Sequence, residues 1–289
     1  MVEYILGNFL VERGKITEDQ LKAALEQMNS VRVKLGLIAV AEGMMTTEQA
    51  ETVNRLQTTC DKRFGDIAVE QGYLTDEQVG KLLKRQGNTY FMFAQTLVDL
   101  ALVEMEEVDG ILEAFRKSKD YTISEMEDLK SDDVDRIIPI FVPEEAKEFE
   151  EIIGVAVRTV IRLIDRRVSI GKAEVLSNVK VGSTVSQKLD GDGGLKVSLS
   201  EKSGGLLKVC SVFGQEEFDT LDLDSLDAAG EFLNCMNGLY VSGMSRDGSF
   251  LELMPPEYSV DGLEENGCVC RVPVSIQDKE LYLVVAKLA

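Results

Sequence analysis

A 29-residue period runs through the first 117 residues and limits the fold of that region more than any other feature. Small residues recur at two positions of the period, and a threonine followed three residues later by glutamine recurs at a third. The two small-residue series are Gly7, Gly36, Gly65 and Ala94, and Gly14, Gly43, Gly72 and Ala101. A fixed period of this length is typical of stacked supersecondary units.

Each unit is predicted to hold two helices joined by a tight turn. The repeated Thr-x-x-Gln pattern is a capping box, which marks the start of a helix. The first small residue is expected to let two helices approach closely, and the second to end a helix with a positive φ. Residues 1–117 therefore predict an all-α domain of four units, in which the first two units form one pair and the last two form another.

The third unit has the most complete pattern, with Arg63-Phe-Gly65 near its start and Gln86 at its end. This pattern resembles the amino-terminal domain of type II secretion and type IV pilus assembly ATPases, some of which bind cyclic di-GMP through tandem copies. The resemblance implies Arg63 and Gln86 as candidate nucleotide-binding residues. Because Ile5, Lys34 and Met92 occupy the arginine position in the other units, a helical docking or dimerisation module is the preferred alternative.

The charge and the missing histidine exclude several classes of function. A formal net charge of -20 repels nucleic-acid phosphates and anionic lipid, so neither a nucleic-acid partner nor membrane insertion is expected. Without histidine, Ser-His-Asp and Cys-His catalysis and His-ligated zinc are excluded. Neither a metal site nor a cofactor is predicted on this chain. Five cysteines, an odd number, fit a cytoplasmic location better than a disulfide scaffold.

Residues 118–142 are predicted to be an acidic linker. Between residues 120 and 151 there are twelve acidic and three basic side chains, a net charge of -9. Such a run is usually solvated. Pro139 and Pro143 place the expected domain boundary near residue 143.

Residues 143–289 are predicted to form an α+β sandwich domain, with long helices packed on a mainly antiparallel sheet. Helices are expected at 144–165 and 225–244. Strands are expected at 172–181, 195–199, 206–213, 250–254, 268–276 and 281–287. The fold class is therefore an all-α repeat domain followed by an α+β domain.

The second helix of this domain is predicted to carry two stripes. Its apolar stripe comprises Leu226, Ala229, Leu233, Met236 and Tyr240, which would face the core. Its polar stripe comprises Asp227, Glu231, Asn234 and Gly238. At about 100° per residue the polar stripe is well separated from the apolar one. Glu231 and Asn234 are therefore expected to face solvent side by side.

The polar stripe belongs to a longer motif, Asp227-x-x-x-Glu231-x-x-Asn234, followed after 21 residues by Pro256. This resembles the motif of the chemotaxis phosphatases CheC, CheX and FliY, and the resemblance covers about residues 143–289. In the first helix Glu151 is followed by Gly154, where asparagine would complete a second motif. One complete motif is the CheX arrangement.

The resemblance implies hydrolysis of the aspartyl phosphate on a CheY-like receiver that binds its own Mg²⁺. Asn234 would hold a water in line, and Glu231 would pair with the receiver's lysine. Asp227 and Pro256 would support them. The resemblance also implies a homodimer formed through the sheets. The alternative is a non-catalytic, receiver-binding or cyclic-di-GMP-sensing scaffold. Exposed Glu231 and Asn234 side chains would favour catalysis, whereas buried ones would favour the scaffold.

Overall fold

The structure, a computed structural model, describes residues 1–60 and 62–288, without the side chains of Asn29 and Asp109. The chain divides into two compact units, Met1–Asp132 and Asp133–Ala289. Within the described residues, every helix is too short or too polar to cross a membrane.

The described part of the first unit is helical. Its helices are α1 (Val2–Glu12), α2 (Glu18–Gln27), α3 (Leu35–Ala41), α4 (Thr47–Gln57), α5 (Phe64–Glu70), α6 (Asp76–Arg85), α7 (Thr89–Asp99), α8 (Glu107–Ser118) and α9 (Ile123–Lys130). Helices α2, α4 and α6 begin at residues 18, 47 and 76, so that their starts are 29 residues apart. Each of the three begins with the predicted capping box, in which the threonine side chain and the glutamine side chain exchange hydrogen bonds with backbone N–H groups.

The small residues have the two expected structural roles. A Cβ on Gly65 would lie 2.7 Å from Val79 Cγ1, and one on Gly7 would overlap Leu21, so both glycines allow the paired helices of a unit to touch. Gly72 follows the end of α5 with φ +72°, and Ala101 occupies the equivalent position in the fourth unit with φ +51°. Alanine is strained in this left-handed conformation, whereas glycine is not.

Replacing Ala101 with glycine is therefore expected to stabilise the first unit. Relief of the left-handed strain outweighs the added entropy of the unfolded glycine, leaving a net gain of about 0.5–1 kcal/mol. Thermal unfolding of the full chain would measure the change. Ala94→Gly, inside α7, is the matched control and should shift the midpoint in the opposite direction. A lower midpoint for Ala101→Gly would contradict the expectation.

The predicted pairing of the 29-residue repeats is wrong. Helix α4 packs on α5 and α3 packs on α6, so the second repeat pairs with the third. Helices α1 and α2 pack on α7, so the first repeat pairs with the fourth. The rings of Phe9 and Phe115, from the first and fourth repeats, meet edge to face with their centroids 5.1 Å apart. Large buried rings on α7, among them Tyr90 and Phe93, form this core because aromatic side chains bury the most apolar area.

The segment predicted as an acidic linker is folded. Helix α9 begins with a capping box between Thr122 and Glu125 and buries Met126 and Leu129 in the first unit. The next helix already belongs to the second unit. The acidic side chains lie mainly on the outer faces of these helices, so the charge run does not indicate an unstructured chain. The boundary between the units falls after residue 132 instead of near residue 143.

The second unit is α+β, as predicted. Its helices are α10 (Val134–Phe141), a 3₁₀ segment (Glu144–Phe149), α11 (Glu150–Leu163), α12 (Gly205–Gly214) and α13 (Leu223–Arg246). Its strands are β1 (Val168–Ile170), β2 (Glu174–Val181), β3 (Thr184–Gly191), β4 (Leu195–Glu201), β5 (Leu251–Leu253), β6 (Glu257–Ser259), β7 (Leu263–Ile276) and β8 (Lys279–Lys287). The antiparallel sheet has the order β1-β7-β8-β4-β3-β5, with β2 also paired to β7 and β6 to β3. Helices α12 and α13 pack on each other and on this sheet.

Two local predictions in this unit are corrected. The expected strand at 206–213 is helix α12, whose first turn is held by Glu201: its carboxylate accepts from the N–H groups of Gly204 and, at 3.1 Å, Leu206. Leu206, Val209 and Cys210 then face the core with helical spacing. The second correction concerns strands β1, β3 and β6, none of which had a counterpart among the predicted strands.

Candidate functional site

Helix α13 carries the motif and presents it as the sequence predicts. Asp222 caps the helix in a box with Ser225. All five side chains of the apolar stripe are buried. Asp227, Glu231 and Asn234 are exposed, so the structure places the predicted pair on the outer face of a helix that is fixed by its inner face.

Below Asn234 lies a chain of buried amides. Asn234 Oδ1 accepts a hydrogen bond from Gln187 Nε2 at 2.8 Å. The same nitrogen donates to the carbonyl of Met254 at 2.8 Å, and Gln187 Oε1 accepts from Asn237 Nδ2 at 2.8 Å. Gln187 is 1% exposed and Asn237 is fully buried. Sequence reasoning missed both residues, although Asn237 stands three positions after Asn234 on the core side of the helix.

Pro256 lies in an irregular segment at the edge of β3. Residues 254–256 lie opposite only two residues of β3, 187 and 188, because Leu253 pairs with Leu189 and Glu257 with Ser186. The extra residue makes this segment a β-bulge. Pro255 and Pro256 have no N–H to donate, so the ladder is interrupted there. The Met254 carbonyl accepts from the Gln187 side chain at this interruption.

Asp227, on α13, contacts strand β6 of the sheet. The hydroxyl of Tyr258, on β6, donates to Asp227 Oδ1 at 3.0 Å. The ring of Tyr258 covers Gly230, where a Cβ would lie 2.7 Å from the ring. Burial raises the pKa of Tyr258, and the hydrogen bond to Asp227 and the charge of Glu231 raise that pKa further. Asp227 thus holds the β6 edge against α13.

Glu231 is the exposed acid of the pair. Among the described residues it has no hydrogen-bond or ion-pair partner. Its carboxylate can therefore receive a cationic side chain from another molecule without breaking an internal contact.

Exposed apolar side chains lie on the elements that carry the pair. Leu223 and Leu239 are on α13, Met254 is in the bulge, and Tyr258 is on β6; they are 37–63% exposed. Exposed apolar side chains can be buried when another protein binds. The elements that carry the acid and the amide therefore also offer apolar area to a partner.

The two candidate nucleotide-binding residues, Arg63 and Gln86, differ in whether their side chains are already hydrogen-bonded. Arg63 is exposed and caps α5 without a side-chain hydrogen bond. Gln86 Nε2 donates to the carbonyl of Val33 at 2.9 Å. The Gln86 side chain therefore joins the third 29-residue repeat to the second repeat. In the described part of the chain, no group of three or more Cys, Asp or Glu side chains is arranged to hold a metal ion.

No family model matches the chain, and no curated protein does. Among solved structures, CheX from Desulfovibrio desulfuricans is 14% identical and matches with a TM-score of 0.43 over 49% of this chain and 99% of its own. A CheC-like superfamily protein from Shewanella is 13% identical, with a TM-score of 0.43 over 49% of this chain and 97% of its own. CheX from Borrelia burgdorferi, in complex with CheY, BeF3 and Mg²⁺, is 18% identical, with a TM-score of 0.41 over 49% and 97%. About half of this chain is thus similar to CheX and CheC-like chemotaxis proteins.

Proposed function

We propose that the second unit hydrolyses the aspartyl phosphate of a CheY-like response regulator. The observation that supports this most is the exposed pair of Glu231 and Asn234 on α13, with Asn234 held from below by Gln187. The sequence motif supplies the class of substrate. A partner of the same kind is present in the Borrelia burgdorferi complex of CheX with CheY.

The proposed reaction needs positioning more than reactive groups. A water oxygen bonds to phosphorus while the bond from phosphorus to the receiver's aspartate oxygen breaks. The products are the aspartate carboxylate, inorganic phosphate and one proton released to solvent. Phosphoryl transfer of this kind is catalysed mainly by alignment and charge balance. A neutral amide can provide the alignment without adding negative charge beside the phosphoryl group.

Each member of the pair has its own task in this proposal. Asn234 aligns the water with the phosphoryl group. Glu231 pairs with the receiver's lysine and fixes the angle at which the receiver docks. The exposed Leu239 and Met254 side chains would bury apolar area against the receiver. Mg²⁺ is held by the receiver, so this chain need not supply a metal ligand.

Replacing Glu231 with glutamine is expected to weaken receiver binding more than it slows hydrolysis in the bound complex. An ion pair at a docking surface contributes about 1–2 kcal/mol, which corresponds to roughly a tenfold rise in Kd. Calorimetry with a receiver carrying beryllofluoride would measure it. Glu217→Gln, at an exposed position between α12 and α13, is the control with the same change in net charge. Equal weakening by both variants would show that Glu231 acts only through long-range charge.

The proposal itself is tested by phosphate release. Phosphorylated receivers from the same organism would be mixed with the full chain, and loss of the aspartyl phosphate would be followed over time. At least one receiver is expected to lose its phosphate faster. Tight binding of a receiver without faster hydrolysis would instead support the non-catalytic scaffold.

For the first unit we propose a docking or sensing role. Gln86 is already engaged with Val33, which favours docking over nucleotide binding.

The homodimer is also part of the proposal. Strand β2 pairs only with β7 among the described residues, and an open strand edge of this kind can pair with a second chain.

A further inference from the structure

We infer that Gln187 is the positioning residue for Asn234, and that it fixes the Asn234 amide with Oδ1 toward the protein and Nδ2 toward the receiver. The inference rests on the proposed function and adds to it a residue of β3 that lies outside the motif. It also assigns a direction to the amide, so that Asn234 meets the receiver as an N–H donor.

The orientation of the Asn234 amide follows from one backbone group, the Met254 carbonyl, whose role in hydrogen bonding is fixed. The backbone carbonyl of Met254 is only an acceptor. The end of Gln187 beside it must therefore be the NH₂ group, which donates both to this carbonyl and toward Asn234. Asn234 must then present its oxygen. At the other end of Gln187, Oε1 requires a donor, and Asn237 Nδ2 supplies it at 2.8 Å.

Burial makes this arrangement hard to reverse. Gln187 and Asn237 are almost completely withdrawn from solvent, so water cannot replace a lost partner. A turned Asn234 amide would place its NH₂ group against the NH₂ group of Gln187, leaving a buried donor unpaired. The amide chain therefore orients Asn234 before the receiver arrives.

The outward group is then Nδ2, with two N–H bonds. Asn234 is exposed, and its Nδ2 makes no hydrogen bond among the described residues. One of these N–H bonds can hold the attacking water while the other faces a phosphoryl oxygen. Donors fixed in advance toward a site of developing negative charge are worth more than donors that must turn during the reaction. Gln187 would thus affect the rate of the chemical step and leave receiver binding almost unchanged.

Two substitutions of Gln187 test the inference. Gln187→Met keeps the length and removes every hydrogen bond to Asn234. Gln187→Glu keeps the shape but replaces the donor with an acceptor, which favours an Asn234 turned with Nδ2 inward. Each is expected to lower kcat at least tenfold, with the Kd for the beryllofluoride-bound receiver changed less than twofold. Gln95→Met, at a glutamine equally buried in the first unit, is the matched control and should retain kcat.

A double substitution separates positioning from a general structural effect. In the Asn234→Ala background, Gln187→Met should cause no further loss of kcat, because the group it positions is already absent. A further loss as large as in the unmodified chain would overturn the inference. So would unchanged kcat in Gln187→Met.

Side-chain amide NMR gives a measurement that does not depend on activity. The NH₂ protons of Gln187 are expected to exchange slowly with solvent and those of Asn234 rapidly. Gln187→Met should shift the Asn234 NH₂ resonances while the backbone resonances of α13 keep their positions. If no receiver is hydrolysed but this exchange pattern is found, the proposed function fails and the orientation of Asn234 stands. Fast exchange at Gln187 would overturn the orientation itself.

Discussion

Replacing Asn234 with alanine is expected to lower kcat for receiver dephosphorylation by about 10²–10³-fold, the usual effect of losing one fixed donor at a site of developing charge. Truncation removes Nδ2, the group that faces the receiver. The full chain and a phosphorylated receiver at saturating concentration would be compared by the rate of phosphate release. Since Glu231 remains, binding of the beryllofluoride-bound receiver should change little.

The fold should survive this substitution. Asn234 is exposed, and its loss takes from Gln187 one of two acceptors, so the expected destabilisation is about 1 kcal/mol. Asn178→Ala is a matched control, because Asn178 is an exposed amide on β2, at the other side of the sheet from β3. An Asn234→Ala chain that dephosphorylates the receiver at the unmodified rate would eliminate the mechanism.

A fragment that starts at residue 143 is expected to be far less stable than one that starts at residue 133. Helix α10 packs on α11 and buries Ile137, Ile138 and Phe141. The carbonyl of Phe141 also accepts from the N–H of Ala173 at 2.8 Å. Burial of each such side chain is worth about 1.5–3 kcal/mol. Their joint loss, roughly 5 kcal/mol or more, is comparable with the total stability of many domains.

Chemical unfolding of residues 133–289 and of residues 143–289 would measure the difference. The longer fragment should unfold in one cooperative transition, whereas the shorter should be partly unfolded or aggregated without denaturant. Light scattering on the longer fragment also tests the proposed homodimer. Equal unfolding midpoints would show that α10 is dispensable.

The parts of the structure that sequence predicted are those encoded locally. Three capping boxes marked the starts of α2, α4 and α6, because such a box involves residues only three positions apart. The two stripes of α13 likewise follow from helical spacing alone. Glu231 and Asn234 were placed on the outer face for that reason.

What escaped prediction depends on contacts between distant segments. Gln187 meets Asn234 across 47 positions of sequence, and nothing near Gln187 indicates which helix will cover it. The apolar run of α12 fits a strand or a helix equally well by composition. The helix is favoured here because the Glu201 carboxylate accepts hydrogen bonds from backbone N–H groups at the start of α12. The pairing of helical units was similarly decided by aromatic residues that meet only after folding, as Phe9 and Phe115 do.

The bulge at Pro255 and Pro256 bears on how much length variation the motif tolerates. If the orienting group is the carbonyl of Met254, the alignment of that carbonyl with Gln187 must be conserved, whereas the 21-residue interval from Asn234 to Pro256 can vary. Insertions in the turn between α13 and β5 would leave the alignment intact. A single residue added or removed within 254–256 would shift the carbonyl away. Related sequences with unusual spacing would then retain activity whenever the change in length lies before β5.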